Sequence, residues 1–321
     1  MNPFTVSFVL PVYNEADGLR LICQGIQDAM AGVGHEYEIV FVNDGSVDRS
    51  VEEITALHQQ NPRVKLVNLS RNFGQHIAVT AGLENASGDA AIVMDSDMQD
   101  DPAVIPRFIE MWQNGYDVVY ATRTERKENF FKRLAFKSFH RINHALSEIH
   151  MPSDAGLFCL MSRRVLDAMS RLKERNRYLP GLRFWVGYRQ IGIQVPRLER
   201  YDEVPRVGLR KLILLSLDSL LSYSKVPLRL ATFLGFLMFC VAILVSSYVV
   251  YSRFISFRAI PGWASEVGLI LFFGGTQFII LGILGEYIAR IYDEVKVRPL
   301  YLVESKLGNF DRHTNIEEPS V

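Results

Sequence analysis

The chain has 321 residues, 35 lysines and arginines against 35 aspartates and glutamates, and 49% hydrophobic residues. That length suits one large domain plus a smaller part, and the apolar content exceeds what a soluble core needs. Zero net charge, without a basic face or an RNA-type aromatic motif, argues against nucleic acid as a partner. Cys23, Cys159 and Cys240 lie far apart with no C-x-x-C pair, which argues against a disulfide framework and a zinc site and for a cytosolic catalytic part.

Thr5 to Val12 reads as the first strand. The apolar run from Phe4 has no basic segment before it, is interrupted by Pro11 and is closed by Asn14 and Glu15, so it is not a signal peptide. Tyr13, Asn14 and Glu15 open a helix to about Met30, with Leu19, Ile22, Ile26 and Met30 on one face. The pattern repeats at Glu38 to Val42, followed by Asn43, Asp44, Gly45 and Ser46 and a helix to about Gln60. Val64 to Leu69 makes a third strand, ending in Ser70, Arg71, Asn72, Phe73 and Gly74, with a helix through Ala86. A fourth strand from Ala90 to Met94 precedes Asp95, and a fifth from Asp117 to Thr122 ends at Arg123. Strands alternating with helices imply an α/β fold with right-handed crossovers and a mostly parallel sheet. The loops carrying Glu15, Asp44, Arg71, Asp97 and Arg123 should then share one edge, where open α/β sheets bind ligands.

The fourth strand ends in Asp95, Ser96, Asp97, Met98 and Gln99. In extended chain, residues two apart point the same way, so Asp95, Asp97 and Gln99 can offer hard oxygens to one Mg²⁺ or Mn²⁺. The alternative is a solvated acidic turn capping the next helix, whose start signals are Asp101 and Pro102.

From Asn129 to about Ile149 the pattern is a basic, aromatic helix. Its His140 and His144 are four apart, but no glutamate follows the first, so they read as surface residues rather than zinc ligands. Leu209 to Tyr223 is apolar with interspersed Arg210, Lys211, Ser216, Asp218, Ser219 and Ser222, which suits a helix in a membrane interface; a buried core helix is the alternative. Leu230 to Tyr251 and Val267 to Gly285 are uncharged runs of about 22 and about 19 residues, long enough to span a bilayer. Lys225 and Arg229 precede the first, and Arg290, Lys296 and Arg298 follow the second, which places both termini in the cytoplasm. Gly268, Gly275 and Gly282 form a smooth stripe that suits packing in the hairpin, an oligomer, or a bend of the helix. The chain thus divides into a cytoplasmic α/β domain over 1–205, an amphipathic interface segment over 206–226, a two-helix transmembrane hairpin over 227–290 and a cytoplasmic tail over 291–321, expected to be disordered after Asn309.

Such a layout suggests an enzyme linking a cytosolic phosphate-bearing donor to a lipid acceptor. Two spans enclose no pathway, so a transporter is a poor fit. PVYNE at 11–15, NDGS at 43–46, SRNFG at 70–74, DSDMQD at 95–100, YATR at 120–123 and GEYIARIYDEVKVRPLY at 285–301 together resemble the inverting GT-A glycosyltransferases of family two. The branch they resemble is the polyprenyl-phosphate hexosyltransferases, which include bactoprenol glucosyltransferases of O-antigen modification and dolichol-phosphate mannose synthase. The resemblance covers roughly residues 4–303.

The resemblance implies that Pro11, Tyr13 and Glu15 line a nucleotide pocket, that Asp44 reaches the base, and that Arg71 and Gly74 lie along the nucleoside. Asp95 and Ser96 belong to the same nucleotide-sugar site, and Asp95, Asp97 and Gln99 hold Mg²⁺ or Mn²⁺. The implied reaction moves a hexose from a nucleotide sugar such as UDP-glucose to undecaprenyl or another polyprenyl phosphate with inversion. The product serves O-antigen or cell-envelope glycan modification. A phosphate monoester is already anionic, so no general base is needed. Arg123, Arg126, Arg200 and Arg206 are candidates to hold the lipid phosphate. The setting implied is the cell inner membrane, with catalytic domain and both termini cytoplasmic, in contact with the bilayer and as a homo-oligomer. Relatives often carry Gly-Asp-Phe-Arg where this chain has Gly156, Leu157, Phe158 and Cys159; Asp154 is the candidate replacement acid. On the acceptor loop, a Gly-x-Ser/Thr-Lys signature is replaced by Glu203, Val204, Pro205 and Arg206. A processive polysaccharide synthase is disfavoured by the missing Q-x-x-R-W motif and the few spans, and an inactive nucleotide-sugar sensor by the intact Asp95, Asp97 and Gln99.

Overall fold

The computed structural model describes residues 4–123, 155–175, 177–195, 226–254 and 262–310. Its eight strands are β1 (Thr5–Val12), β2 (Glu36–Asn43), β3 (Val64–Leu69), β4 (Ala90–Val93), β5 (Val118–Arg123), β6 (Ala155–Ser162), β7 (Gln190–Val195) and β8 (Val303–Leu307). They form one sheet in the order β7-β5-β6-β4-β1-β2-β3-β8. β1 pairs in parallel with β2 and β4, β2 with β3, and β5 with β7. β6 runs antiparallel between β4 and β5, and β8 runs antiparallel along β3.

The five strands expected from sequence are all present within two residues of their predicted ends. Because β4 and β5 are each antiparallel to β6, they run the same way, and the ends of β1 to β5 share one edge as expected. Three strands went unpredicted. β6 and β7 follow residue 150, beyond the run of strand–helix repeats read from the sequence. β8, VESKL, has four of its five residues exposed and no apolar alternation that reads as a buried strand. Its role is to cover the open backbone of β3, which would otherwise be an edge exposed to wrong pairing.

Helices cover both faces. On one face α1 (Leu19–Ala31), α2 (Ser50–Gln60) and α4 (Ile105–Gln113) pack on Phe8, Leu10, Ile39, Phe41 and Ile92, all fully buried. α1 buries the predicted stripe Leu19, Ile22, Ile26 and Met30, though the turn before it, Ala16–Gly18, is 3-10 rather than α-helical. α4 follows a 3-10 turn at Pro102–Val104 whose cap is Asp101, which accepts the Ala103 N–H, as the Asp101–Pro102 start signal implied. On the other face lie α3 (Gln75–Asn85), α5 (Arg163–Ser170) and α6 (Leu179–Trp185), over Val9, Val93, Val118 and Met161. α3 sits so close to the sheet that a Cβ at Gly82 would stand 2.3 Å from Val9 Cγ1. Each fully buried aliphatic side chain contributes about 1.5–3 kcal/mol, so this two-sided burial holds the strand ends rigidly.

The chain separates into two compact units: the sheet domain, which includes β8, and a unit made of α7 (Val226–Phe254) and α8 (Trp263–Val295). In the second unit large apolar side chains face outward: Phe236 is 65% exposed, Ile270 70% and Phe278 77%. Among the described residues, the stretch Gly268–Val295 of α8 is long and apolar enough to cross a membrane; the apolar stretch described in α7, Ala231–Val245, is shorter. The expectation of a second span therefore rests on the sequence run alone. Among the described residues, a Cβ placed at Gly268, Gly275 or Gly282 of α8 meets nothing within 4 Å, whereas one at Gly235 of α7 would stand 3.7 Å from Ile280 Cδ1 of α8. The predicted helix at Asn129–Ile149 with His140 and His144, the acceptor loop at Glu203–Arg206, the interface helix at Leu209–Tyr223 and the tail beyond Phe310 lie outside the described residues.

Candidate active site

Four loops meet at the carboxyl edge of β1, β2, β3 and β4, and hydrogen bonds lace them together. After β1, Asn14 adopts φ +56°. Its N–H donates to Ser46 Oγ at 3.0 Å, and its Oδ1 accepts the Val47 N–H at 2.9 Å. Thus the first and second loops hold each other. Tyr13 is 46% exposed and available to a ligand, whereas Glu15 is buried; its N–H donates to Ser50 Oγ. Pro11 lends its carbonyl oxygen to Ser96 Oγ at 2.9 Å. Ser96, expected in the donor site, is buried and serves as this tie between the first and fourth loops.

Asp44, expected to reach a base, clamps the third loop. Its Oδ1 accepts the Phe73 N–H at 2.7 Å and its Oδ2 the Gly74 N–H at 2.9 Å. Burial pushes the Asp44 carboxyl up, outweighing the opposing pull of those two N–H groups and of Arg71. The second and third loops touch so closely that a Cβ at Gly45 would lie 2.5 Å from Asn72 N, and Gly45 has φ +71°; only glycine meets both demands. Arg71 is exposed, donates to the Asn72 carbonyl and lies 4.1 Å over the Phe73 ring, and Gly74 turns the chain at φ +99° into α3. Arg71 and Tyr13 are therefore exposed at the loop edge, while Asp44 shapes the loop behind them.

The fourth loop departs from the extended geometry that the sequence suggested. Asp95 N–H donates to Asp100 Oδ2 at 2.9 Å, which folds the segment back within five residues, and Met98 takes φ +63°. Asp97 then accepts the Gln99 backbone N–H at 3.1 Å and its side-chain Nε2 at 2.9 Å. A turn fastened by Asp100, and not the two-residue alternation of a strand, shapes the segment carrying Asp95, Asp97 and Gln99, and within it Gln99 folds back onto Asp97. Asp95 Oδ1 also accepts Gln75 Nε2 from the start of α3 at 2.7 Å. Among the described residues no three acidic, histidine or cysteine groups form a closed metal cage. Two carboxylates and one amide oxygen fit a hard divalent cation that keeps water and takes its remaining ligands from substrate phosphates, the usual habit of Mg²⁺.

Arg123 closes β5 opposite Val195 of β7, at the shared edge. Arg126, Arg200, Arg206 and Asp154 lie outside the described residues. Where relatives carry an arginine on β6, Cys159 is buried, and burial pushes its thiol up, away from nucleophilic use. A guanidinium still stands there. Arg183 of α6, only 2% exposed, donates to the Gly156 carbonyl and lies 5.1 Å from the Tyr120 ring. Sequence reading missed Arg183 and Gln75, because each acts through a partner on another element, and the role of Asp100, because it depends on the fold of the loop back onto the Asp95 amide.

His76, the second residue of α3, packs edge-on against Tyr178 at 5.5 Å, and its Nδ1 has no hydrogen-bond partner among the described residues. Burial pushes its pKa down to about 4. The unfolded ring titrates near 6.5, so between the two values only the unfolded chain takes up the proton. Stability is thus full above about pH 6.5 and falls as pH drops toward 4, by about 2 kcal/mol at pH 5. Replacing His76 with phenylalanine should remove that part of the acid sensitivity. Denaturant midpoints at pH 7 and pH 5 in the two proteins measure it, and equal pH dependence would contradict a neutral buried ring.

The family model described as Glycosyl transferase family 2 matches residues 7–169. A relative from Bacillus subtilis (strain 168), "Uncharacterized glycosyltransferase YkcC", is 43% identical over 303 residues, covering 94% of each chain. The "Bactoprenol glucosyl transferase" of Shigella phage SfX is 36% identical over 302 residues, covering 94% of this chain and 99% of the phage protein. Among solved structures, glucosyl-3-phosphoglycerate synthase from Mycobacterium tuberculosis superposes with a TM-score of 0.45 at 21% identity, over 68% of this chain and 79% of that one. All four laced loops fall inside the matched region and relatives align along nearly the whole length, so the chain is a glycosyltransferase belonging to family 2.

Proposed function

We propose that this enzyme transfers a glucosyl residue from UDP-glucose to polyprenyl phosphate at the cytoplasmic face of the bacterial inner membrane, yielding a lipid-linked glucose for cell-envelope glycans. The observation that supports this most is the likeness to bactoprenol glucosyl transferases, 36–37% identical over 94–95% of this chain, a span that includes α7 and α8 as well as the sheet domain. The outward apolar side chains of α7 and α8 support contact with the bilayer.

The lipid phosphate oxygen forms a bond to the anomeric carbon as the bond from that carbon to the UDP β-phosphate oxygen breaks. The electron pair leaves with UDP, and the configuration inverts. The phosphate needs no deprotonation, so the protein's task is to position and to balance charge. Tyr13 and Arg71 offer a ring face and a cation to the nucleoside at the loop edge, with Pro11, Glu15, Asp44 and Gly74 shaping the wall behind them. Asp95, Asp97 and Gln99 would hold a divalent cation that neutralises the departing diphosphate. Arg123, at the same sheet edge, with Arg126, Arg200 and Arg206, would hold the acceptor phosphate in line.

One experiment tests both reaction and sidedness. Inverted membrane vesicles from a bacterial host expressing the chain, given labelled UDP-glucose and undecaprenyl phosphate, should form a chloroform-extractable glucolipid with release of UDP. Sealed right-side-out vesicles, which exclude the nucleotide sugar, should form none until permeabilised. Transfer by sealed right-side-out vesicles would overturn the cytoplasmic placement, and absence of glucolipid in either preparation, with activity on another acceptor, would overturn the acceptor.

A further inference from the structure

We infer that strand β8 is a positioning element for the donor-binding loops and that Glu304 is the residue through which it acts. The inference rests on the reading of those loops as the nucleotide site. A chain of hydrogen bonds runs from β8 across β3 and β2 to the first loop. Glu304 Oε2 accepts from Asn68 Nδ2 at 3.0 Å, and Asn68 Oδ1 accepts from Asn43 Nδ2 at 2.7 Å. Asn43 Oδ1 accepts the Ser46 N–H at 3.2 Å, Ser46 Oγ accepts the Asn14 N–H at 3.0 Å, and Asn14 Oδ1 accepts the Val47 N–H at 2.9 Å.

The two ends of the amide pair fix its direction. The Ser46 backbone N–H can only donate, so Asn43 must turn its oxygen toward it and its NH₂ toward Asn68. Asn68 must then present its oxygen to Asn43 and its NH₂ outward, where an ionised carboxylate, which can only accept, completes the chain. Without Glu304 the outward NH₂ of Asn68 has only water to bond, and the amide pair loses the partner that selects its orientation.

β8 is itself tied to both sides of the third loop. Ser70 N–H, the first of that loop, donates to the Leu302 carbonyl at 2.9 Å. Tyr301 Oη donates to Glu84 Oε2 at 2.6 Å and Lys306 Nζ to Asn85 Oδ1 at 2.6 Å, both at the end of α3, the helix the loop feeds. The loop that carries Arg71 and Gly74 is thereby bracketed by residues more than two hundred positions later in sequence. The segment following α8 thus takes part in building the donor site.

The test uses the full chain in lipid nanodiscs, with UDP as the probe. Glu304→Ala should weaken UDP binding about fivefold and Asn68→Ala about tenfold, the size expected when a charge-assisted and then a buried link is lost. The KM for UDP-glucose should rise in parallel while kcat at saturating donor stays put. Glu304→Gln, whose Oε1 can still accept from Asn68, should restore binding. Hydrogen exchange at the Ser46 and Val47 amides of the ligand-free protein should speed up in Glu304→Ala and return to normal in Glu304→Gln. Unchanged exchange in both alanine variants, or a lowered melting midpoint with UDP binding intact, would overturn the inference. Failure of the nucleotide reading would look different: wild-type protein would bind no UDP while the exchange difference persisted.

Discussion

Asp97→Asn should slow glucosyl transfer about a thousandfold, equivalent to about 4 kcal/mol of transition-state stabilisation, while leaving the fold intact. Asp97 is 9% exposed and stands in the turn after β4, where it is held by Gln99. Its Oδ1 and Oδ2 accept from Gln99, and an asparagine can keep the backbone bond through its remaining oxygen, so the local turn survives. What is lost is one negative charge among the proposed cation ligands, at the point where diphosphate charge develops as the sugar leaves. Wild-type activity should therefore vanish in excess chelator and return with Mg²⁺ or Mn²⁺, and the variant should need far more metal for whatever activity is left. Single-turnover rates across a metal titration measure both effects. Full turnover in chelator, or an Asp97→Asn enzyme within threefold of wild type, would remove the assignment.

Lys65→Met should destabilise the sheet domain by about 3–5 kcal/mol, the scale seen when one partner of a buried ion pair is removed. Glu38 of β2 is 4% exposed, and Lys65 of β3 places Nζ 2.5 Å from its Oε2. Burial raises the Glu38 carboxyl pKa, but hydrogen bonds from Lys65, Ser7 and Ser87 outweigh it and hold the group below the usual carboxylate range. Methionine keeps most of the apolar stem and deletes only the cation, so the carboxylate is left with its neutral donors alone. Because the folded pKa is depressed, this stability is present above the unfolded value near 4.3 and lost as pH falls below it; in the variant, whose Glu38 carboxyl has lost its largest depressing partner, that acid-linked loss should shrink. Adding Glu38→Gln to Lys65→Met should recover a large share, since the stranded charge is what costs most. Denaturant unfolding of the single and double variants measures the coupling, and a single variant within 1 kcal/mol of wild type would contradict it.

The sequence by itself determined where chemistry gathers. Apolar runs of strand length ended by Pro11–Glu15, Asn43–Ser46, Ser70–Gly74, Asp95–Gln99 and Arg123 placed five strand ends on one edge, and the observed strands end within two residues of the predicted positions. That was legible because burial of a strand is written in its own composition, and right-handed crossovers leave little freedom in how successive parallel strands are stacked. It also announced two long apolar helices after residue 225, since the length of an uncharged run is a local property.

Tertiary structure alone decided what each polar residue does. Asp44 and Ser96 lie in motifs expected to bind the donor, yet Asp44 clamps the Phe73 and Gly74 amides and Ser96 ties itself to Pro11. Asp95 and Asp97 lie in a turn fastened by Asp100, whose bond to the Asp95 amide no period-two pattern predicts. β6 slips antiparallel between β4 and β5, and VESKL becomes a strand only because β3 offers it an unpaired edge. Periodicity records which face of an element is buried; it holds no record of the partner. Pairing across 236 residues, as between Asn68 and Glu304, is fixed by the complementarity of donors, acceptors and backbone edges that only the folded chain brings within 3 Å of each other.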